Sequence, residues 1–176
     1  MEPKKKNGFY EWAEIICGVI VLMAVVYTFL FRMVNVSGSS METTLSNGEQ
    51  LILSSAPYTP AYEDIVVVSR GMAQEPLIKR VIGLPGDTIY VDAESGEVYR
   101  NNELLVEPYI DFPTAVERMT GPVTVPSGQV FIMGDNRAPN HSYDSRSFGC
   151  VPVEDVVGKA VYRLMPFDRM GGIYDD

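Results

Sequence analysis

One uncharged apolar run, residues 15–31, constrains everything that follows it. Its 17 residues just reach the ~17–25 that a membrane-spanning helix needs. Tyr10 and Trp12 precede it where an interfacial aromatic belt belongs, and Glu14 suits the headgroup boundary. A cleaved signal peptide is the alternative, with an apolar stretch of ~7–15 residues that ends in an A-x-A-like site. Here the run is longer and meets Arg32-Met33-Val34-Asn35, although Ser37-Gly38-Ser39 imitates such a site. An uncleaved anchor is the preferred reading. It divides the chain into a cytoplasmic tail over 1–11, a transmembrane helix over 12–32 and a domain over 33–176.

Lys4, Lys5 and Lys6 precede the run and only Arg32 follows it closely, so the amino terminus is expected inside and the domain outside. Beyond Arg32 ten Lys/Arg face twenty Asp/Glu, a net charge of −10. A field of that sign disfavours nucleic acid. Cys17 lies in the apolar run and Cys150 near the other end, so no intramolecular disulfide is expected. One histidine and one external cysteine also make a zinc site a poor expectation.

After the anchor the chain breaks into short β-branched segments punctuated by turns. Leu51-Ile52-Leu53, Asp64-Ile65-Val66-Val67-Val68, Thr88-Ile89-Tyr90-Val91 and Val130-Phe131-Ile132-Met133 read as strands, as do residues 156–164. Residues 98–105 read as a hairpin turning at Asn101-Asn102, preceded by a turn at Glu94-Ser95-Gly96-Glu97. Residues 111–126, rich in Pro, Thr and Gly, are expected to be a flexible insertion. The fold class is therefore all-β: a compact, mostly antiparallel β domain on a single amino-terminal helix.

The chemistry starts from Val36-Ser37-Gly38-Ser39-Ser40-Met41, a serine-rich segment within ten residues of the apolar run. A serine hydroxyl is a poor nucleophile until a base takes its proton. Histidine is the usual base, but a lysine kept neutral by burial also serves. Lys79 sits between Leu77-Ile78 and Val81-Ile82, and the domain's only other lysine is Lys159. A lone lysine in a strand is more often an exposed edge residue, so the local pattern leaves both roles open.

Four segments, in order, resemble type I signal peptidases, the bacterial Ser-Lys leader peptidases. Gly38-Ser39-Ser40-Met41-Glu42-Thr43-Thr44-Leu45 resembles their serine box, and Asp64-Ile65-Val66-Val67 a short strand box. Ile78-Lys79-Arg80-Val81-Ile82-Gly83-Leu84-Pro85-Gly86-Asp87 is similar to the lysine box. Gly134-Asp135-Asn136-Arg137 with Ser142-Tyr143-Asp144-Ser145-Arg146 resembles the third signature. The resemblance runs from the anchor to Arg163 and fits the small, Gram-positive-like members best.

It implies Ser40 as nucleophile, Lys79 as general base, Ser142 as the residue that orients the lysine, and the Ser40 backbone N–H as oxyanion donor. Gly38 removes a side-chain donor from the position where some members carry a hydroxyl. Asp135, Asn136, Arg137, Asp144 and Arg146 become a structural network beside the site. The implied reaction removes A-x-A-type signal peptides from secretory preproteins through an acyl-enzyme, with no cofactor and no metal. The implied place is the bacterial cell membrane, with the lipid bilayer as a partner and the catalytic domain outside. Met41 and Leu45, beside the serine, are expected to be exposed and to dip into headgroups.

Three departures stand out. Thr43 replaces the usual proline, Glu63 stands where glycine is common, and Ala138-Pro139-Asn140-His141 lengthens the link to Ser142. His141 offers a rival triad with Ser40 and Asp144, although the relatives that use histidine carry it at the position of Lys79. A non-catalytic scaffold has no use for Ser40 and Lys79 together. A self-cleaving repressor of the SOS type would carry a DNA-binding domain in place of the span.

Overall fold

The computed structural model describes residues 8–55, 58–69 and 75–174. Lys4, Lys5 and Lys6, on which the expected orientation rests, lie outside them. Helix α1 spans Gly8–Leu30 and contains Tyr10–Thr28, 19 residues long and apolar enough to cross a membrane. Apolar side chains such as Ile15, Leu22 and Val26 stand exposed around it, as expected of a helix whose solvent is lipid. Helix α1 begins earlier and ends sooner than residues 12–32. Phe31 and Arg32 already belong to strand β1 (Phe31–Asn35), where they pair with Ser54 and Leu53. Helix α1 thus passes into the sheet without a linker.

Eleven further strands follow. In order they are β2 (Gln50–Ser54), β3 (Ile65–Val68), β4 (Leu77–Gly83), β5 (Thr88–Val91), β6 (Val98–Arg100) and β7 (Glu103–Leu104). Then come β8 (Val123–Thr124), β9 (Gln129–Met133), β10 (Val151–Pro152), β11 (Val156–Met165) and β12 (Gly171–Gly172). A short helix α2 (Ser145–Phe148) lies between β9 and β10. The large sheet runs β1-β2-β11-β3-β4-β9-β10 with β12 on β11, and a small one runs β7-β6-β5-β8. Every pairing is antiparallel, as the all-β reading expects.

The unbroken run Ile65-Val66-Val67-Val68 is buried on both faces. Ile65 and Val67 pack with Leu51, Leu53, Met41 and Leu45, while Val66 and Val68 pack with Val81, Val130 and Ile132. Phe131 and Met133, on the alternate face of β9, join Ile82, Ile89 and Val98 between the sheets. Met41 and Leu45 are 1% and 0% exposed, so they anchor the serine loop to the core and cannot meet lipid headgroups. The turn at Asn101-Asn102 forms with both residues at positive φ.

One cross-strand row fixes the height of the lysine. Phe31 pairs with Ser54, Ser54 with Lys159, Lys159 with Val66, and Val66 with Lys79. Lys79 therefore sits on the rung at which the chain leaves α1.

The expectation of a flexible insertion at 111–126 is not met. Thr114 N–H donates to the Gly96 carbonyl at 2.9 Å, Val125 is buried, and Val123–Thr124 forms β8. Composition suggested a loop, but long-range bonds hold it. Gly96 has φ +71°, and a Cβ there would lie 2.6 Å from Pro113 Cβ and 2.9 Å from Thr114 N. Gly96→Ala should lower stability by ~1–3 kcal/mol, read as a lower urea midpoint of the detergent-solubilised protein. An unchanged midpoint would show that residues 113–114 are not seated there.

Candidate active site

Ser40 lies in the loop between β1 and β2. Gly38 makes the turn at φ +86°, its N–H held by Asn47 Oδ1 at 2.9 Å. From the other side Asn136 clasps the same loop, its backbone N–H donating to the Ser40 carbonyl and its side-chain amide to the Ser39 carbonyl, each at 3.1 Å.

Lys79 approaches from β4. Its Nζ lies 2.5 Å from Ser40 Oγ and 3.0 Å from the Ile78 carbonyl, in a side chain only 2% exposed as a residue. Burial lowers its pKa to about 8, against the upward pull of Asp144 and Asp135 and with a small downward push from Arg146. An unfolded lysine holds its proton up to about 10.5. The folded state therefore carries the burial penalty in full below about pH 8, and stability rises with pH between these values.

Ser142, expected to orient the lysine, is buried, and no hydrogen bond between it and Lys79 forms among the described residues. Its hydroxyl donates to Asp144 Oδ2 at 2.5 Å. Asp144 also takes the Gly134 N–H at 2.9 Å and the Arg146 guanidinium at 2.7 and 2.9 Å. These donors hold its carboxyl below the ordinary carboxylate range despite burial, which alone pushes it up. Gly134 leaves room for this cluster, since a Cβ there would lie 2.3 Å from both Ser142 Oγ and the Ser40 carbonyl. His141 is exposed, with Nδ1 2.9 Å from the Pro139 carbonyl, while Lys79 occupies the place beside Ser40.

The remaining members of the expected network divide between two ion pairs. Asp135 binds Arg80 through contacts of 2.9 and 2.6 Å and accepts from Thr44 Oγ1 at 2.6 Å. Arg137 donates to the Gly134 carbonyl at 2.7 Å, to Thr114 Oγ1 at 2.9 Å and to the Glu107 carboxylate. Arg80, Glu107, Tyr109 and Thr114 were not singled out from the sequence. Arg80 had a signal, its place beside Lys79; the others make contacts with partners 23 or more positions away and had none.

A groove of about 310 Å³ opens over the Ser40 and Lys79 pair. Val34, Val36 and Gly38 form one side, and Pro76, Leu77 and Ile78 the other. Strand β1 pairs only with β2, and β4 meets β9 only from Arg80 onward, so both sides present open strand edges among the described residues.

The model of the family described as signal peptidase, peptidase S26 matches residues 9–165. The chain belongs to that family. It is 37% identical to a probable signal peptidase I-2 of Synechocystis sp., over 99% of this chain and 82% of that one. It is 34% identical to a signal peptidase I of Bacillus licheniformis over 94% of each. Signal peptidase I T of Bacillus subtilis is 32% identical, over 95% of this chain and 91% of the relative. The crystal structure of a signal peptidase I from Enterococcus faecalis V583 aligns with 59% of this chain and 98% of its own, with 28% identity and a TM-score of 0.48. Membership carries the coarse function with it: a serine endopeptidase that removes signal peptides.

Removal of the Asp144 carboxylate leaves the Arg146 guanidinium, fully buried as a side chain, without its main partner. Asp144→Ala should therefore cost ~3–5 kcal/mol in chemical denaturation. A loss below about 1 kcal/mol would show that the arginine is rehydrated instead.

Proposed function

We propose that Ser40 is the nucleophile and Lys79 the general base of a membrane-anchored signal peptidase that works through an acyl-enzyme. The contact of 2.5 Å between Lys79 Nζ and Ser40 Oγ, in a site that favours the neutral amine, is the observation that carries it. Neutral Lys79 takes the hydroxyl proton as Ser40 Oγ attacks the carbonyl carbon at the end of the signal peptide. The resulting ammonium then gives a proton to the departing amine of the mature protein. An ester remains on Ser40. Water attacks it, again losing a proton to Lys79, and frees the signal peptide as a carboxylic acid. The oxyanion of both steps is met by the Ser40 N–H, which among the described residues has no hydrogen-bond acceptor in the folded chain. Gly38 adds no side-chain donor.

The open edges of β1 and β4 suit an extended peptide laid between them, parallel to β4. Alternate side chains of such a strand point into the groove. Met41 and Ile78, which line the groove, leave room for small groups, in keeping with A-x-A-type ends. The substrate's amino-terminal side then runs from Lys79 toward Leu77, back past the rung where α1 ends. That direction leads the apolar part of a signal peptide to the bilayer that α1 spans. The domain faces the outer side of a bacterial membrane, with the amino terminus in the cytoplasm.

Cleavage of a secretory precursor by detergent-solubilised protein tests the reading. Wild type should cut after the A-x-A site, and Lys79→Ala and Ser40→Ala should each lose ~10³-fold or more in kcat. Lys79→Arg should be equally inactive, because a guanidinium stays protonated. Since only the neutral amine is a base, kcat/KM should rise with pH and level off above about pH 8. Activity surviving in Lys79→Ala would return His141 to contention, and an inert wild type would favour a scaffold.

A further inference from the structure

The serine loop is held from its outer side by a segment that the reaction does not use. Residues 107–115 run from the small sheet across the 40–44 loop, and Tyr109 lies at the crossing. Thr43 Oγ1 donates to the Tyr109 carbonyl at 2.9 Å. The Tyr109 ring stacks on Arg80, whose Cζ lies 3.8 Å from the ring centroid, and its hydroxyl donates to Glu107 Oε1 at 2.8 Å. Burial and the Glu107 carboxylate push this phenol up, so it remains a donor.

Arg80 adjoins Lys79 in β4, so the two side chains leave opposite faces of the strand. Lys79 meets Ser40, whereas Arg80 reaches Thr44 Oγ1 at 3.3 Å and holds Asp135, which Thr44 also binds. The loop is therefore gripped at both ends by consecutive residues of one strand. Tyr109 closes this grip, its ring against Arg80 and its carbonyl against Thr43. A proline at position 43, usual in the family, has no hydroxyl for that second bond, which is a property of this chain.

We propose that Tyr109 is a positioning residue: it fixes the 40–44 loop against the lysine strand and thereby sets the separation between Ser40 and Lys79. The proposal rests on the catalytic reading of that pair. Misplacement of reacting groups by ~1 Å costs ~10²-fold in rate. A purely structural role would instead lower the amount of folded enzyme and leave turnover per active site intact.

The test is precursor cleavage by the full chain, normalised by active-site titration, for wild type, Tyr109→Leu, Tyr109→Phe and Thr43→Val. Tyr109→Leu and Thr43→Val should lower kcat by ~10–100-fold with KM nearly unchanged, and Tyr109→Phe should recover most of the loss. Wild-type kcat per active site in Tyr109→Leu and Thr43→Val overturns the proposal. So does a loss in Tyr109→Leu that the phenylalanine does not recover. If Tyr109→Leu fails to fold, Thr43→Val, a near-isosteric change at an exposed position, decides the matter by the same kcat criterion. Undiminished cleavage by Lys79→Ala, by contrast, overturns the catalytic reading and this proposal with it.

Discussion

A lysine amine 2.5 Å from a serine hydroxyl, inside a strand buried on both faces, is the constraint on which the site depends. A charged ammonium in that position is costly, and the protein lowers the cost by favouring the neutral form. Asp144 and Asp135 pull the other way. Both are committed elsewhere, Asp144 to Arg146 and Ser142, Asp135 to Arg80 and Thr44. Burial outweighs the upward pull of both carboxylates, so the Lys79 pKa still falls to about 8. Ser142 donates its hydroxyl proton to Asp144 and so belongs to the same cluster.

The same strand carries the mechanical load. Strand β4 presents Lys79 to Ser40 and Arg80 to Thr44, and its rung leads back through Val66, Lys159 and Ser54 to Phe31. The end of α1 and the lysine are therefore tied into one continuous sheet, and the nucleophile loop joins two of its strands. The passage of α1 directly into β1 keeps the groove at a defined distance from the end of that apolar helix.

Much of this was legible in the sequence because it is local. β-branched runs mark strands that are buried on both faces, and Lys79 stood out as a charge within such a run. The Asn pair marked its hairpin through the backbone conformation that asparagine tolerates. What was not legible depends on long-range register. The start of strand β1 was hidden because Phe31 ends the apolar run and hydropathy does not distinguish helix from strand. The two-residue strands β8, β10 and β12 exist only because partners meet them. Met41 and Leu45 looked exposed beside a functional serine, yet they hold it to the core. Residues 111–126 read as flexible by composition, although Arg137 and Arg146 tie down Thr114 and Ala115. Glu107 and Tyr109 carried no local signal at all.

The most direct measurement is the titration of Lys79 itself, by NMR of protein labelled at lysine Cε in the Ser40→Ala background. The domain has only Lys79 and Lys159 beyond the anchor, so the signals can be assigned by substitution. An apparent pKa about 8 for Lys79 is the expected result. A value near the ordinary 10.5 would contradict a neutral lysine base and the mechanism built on it.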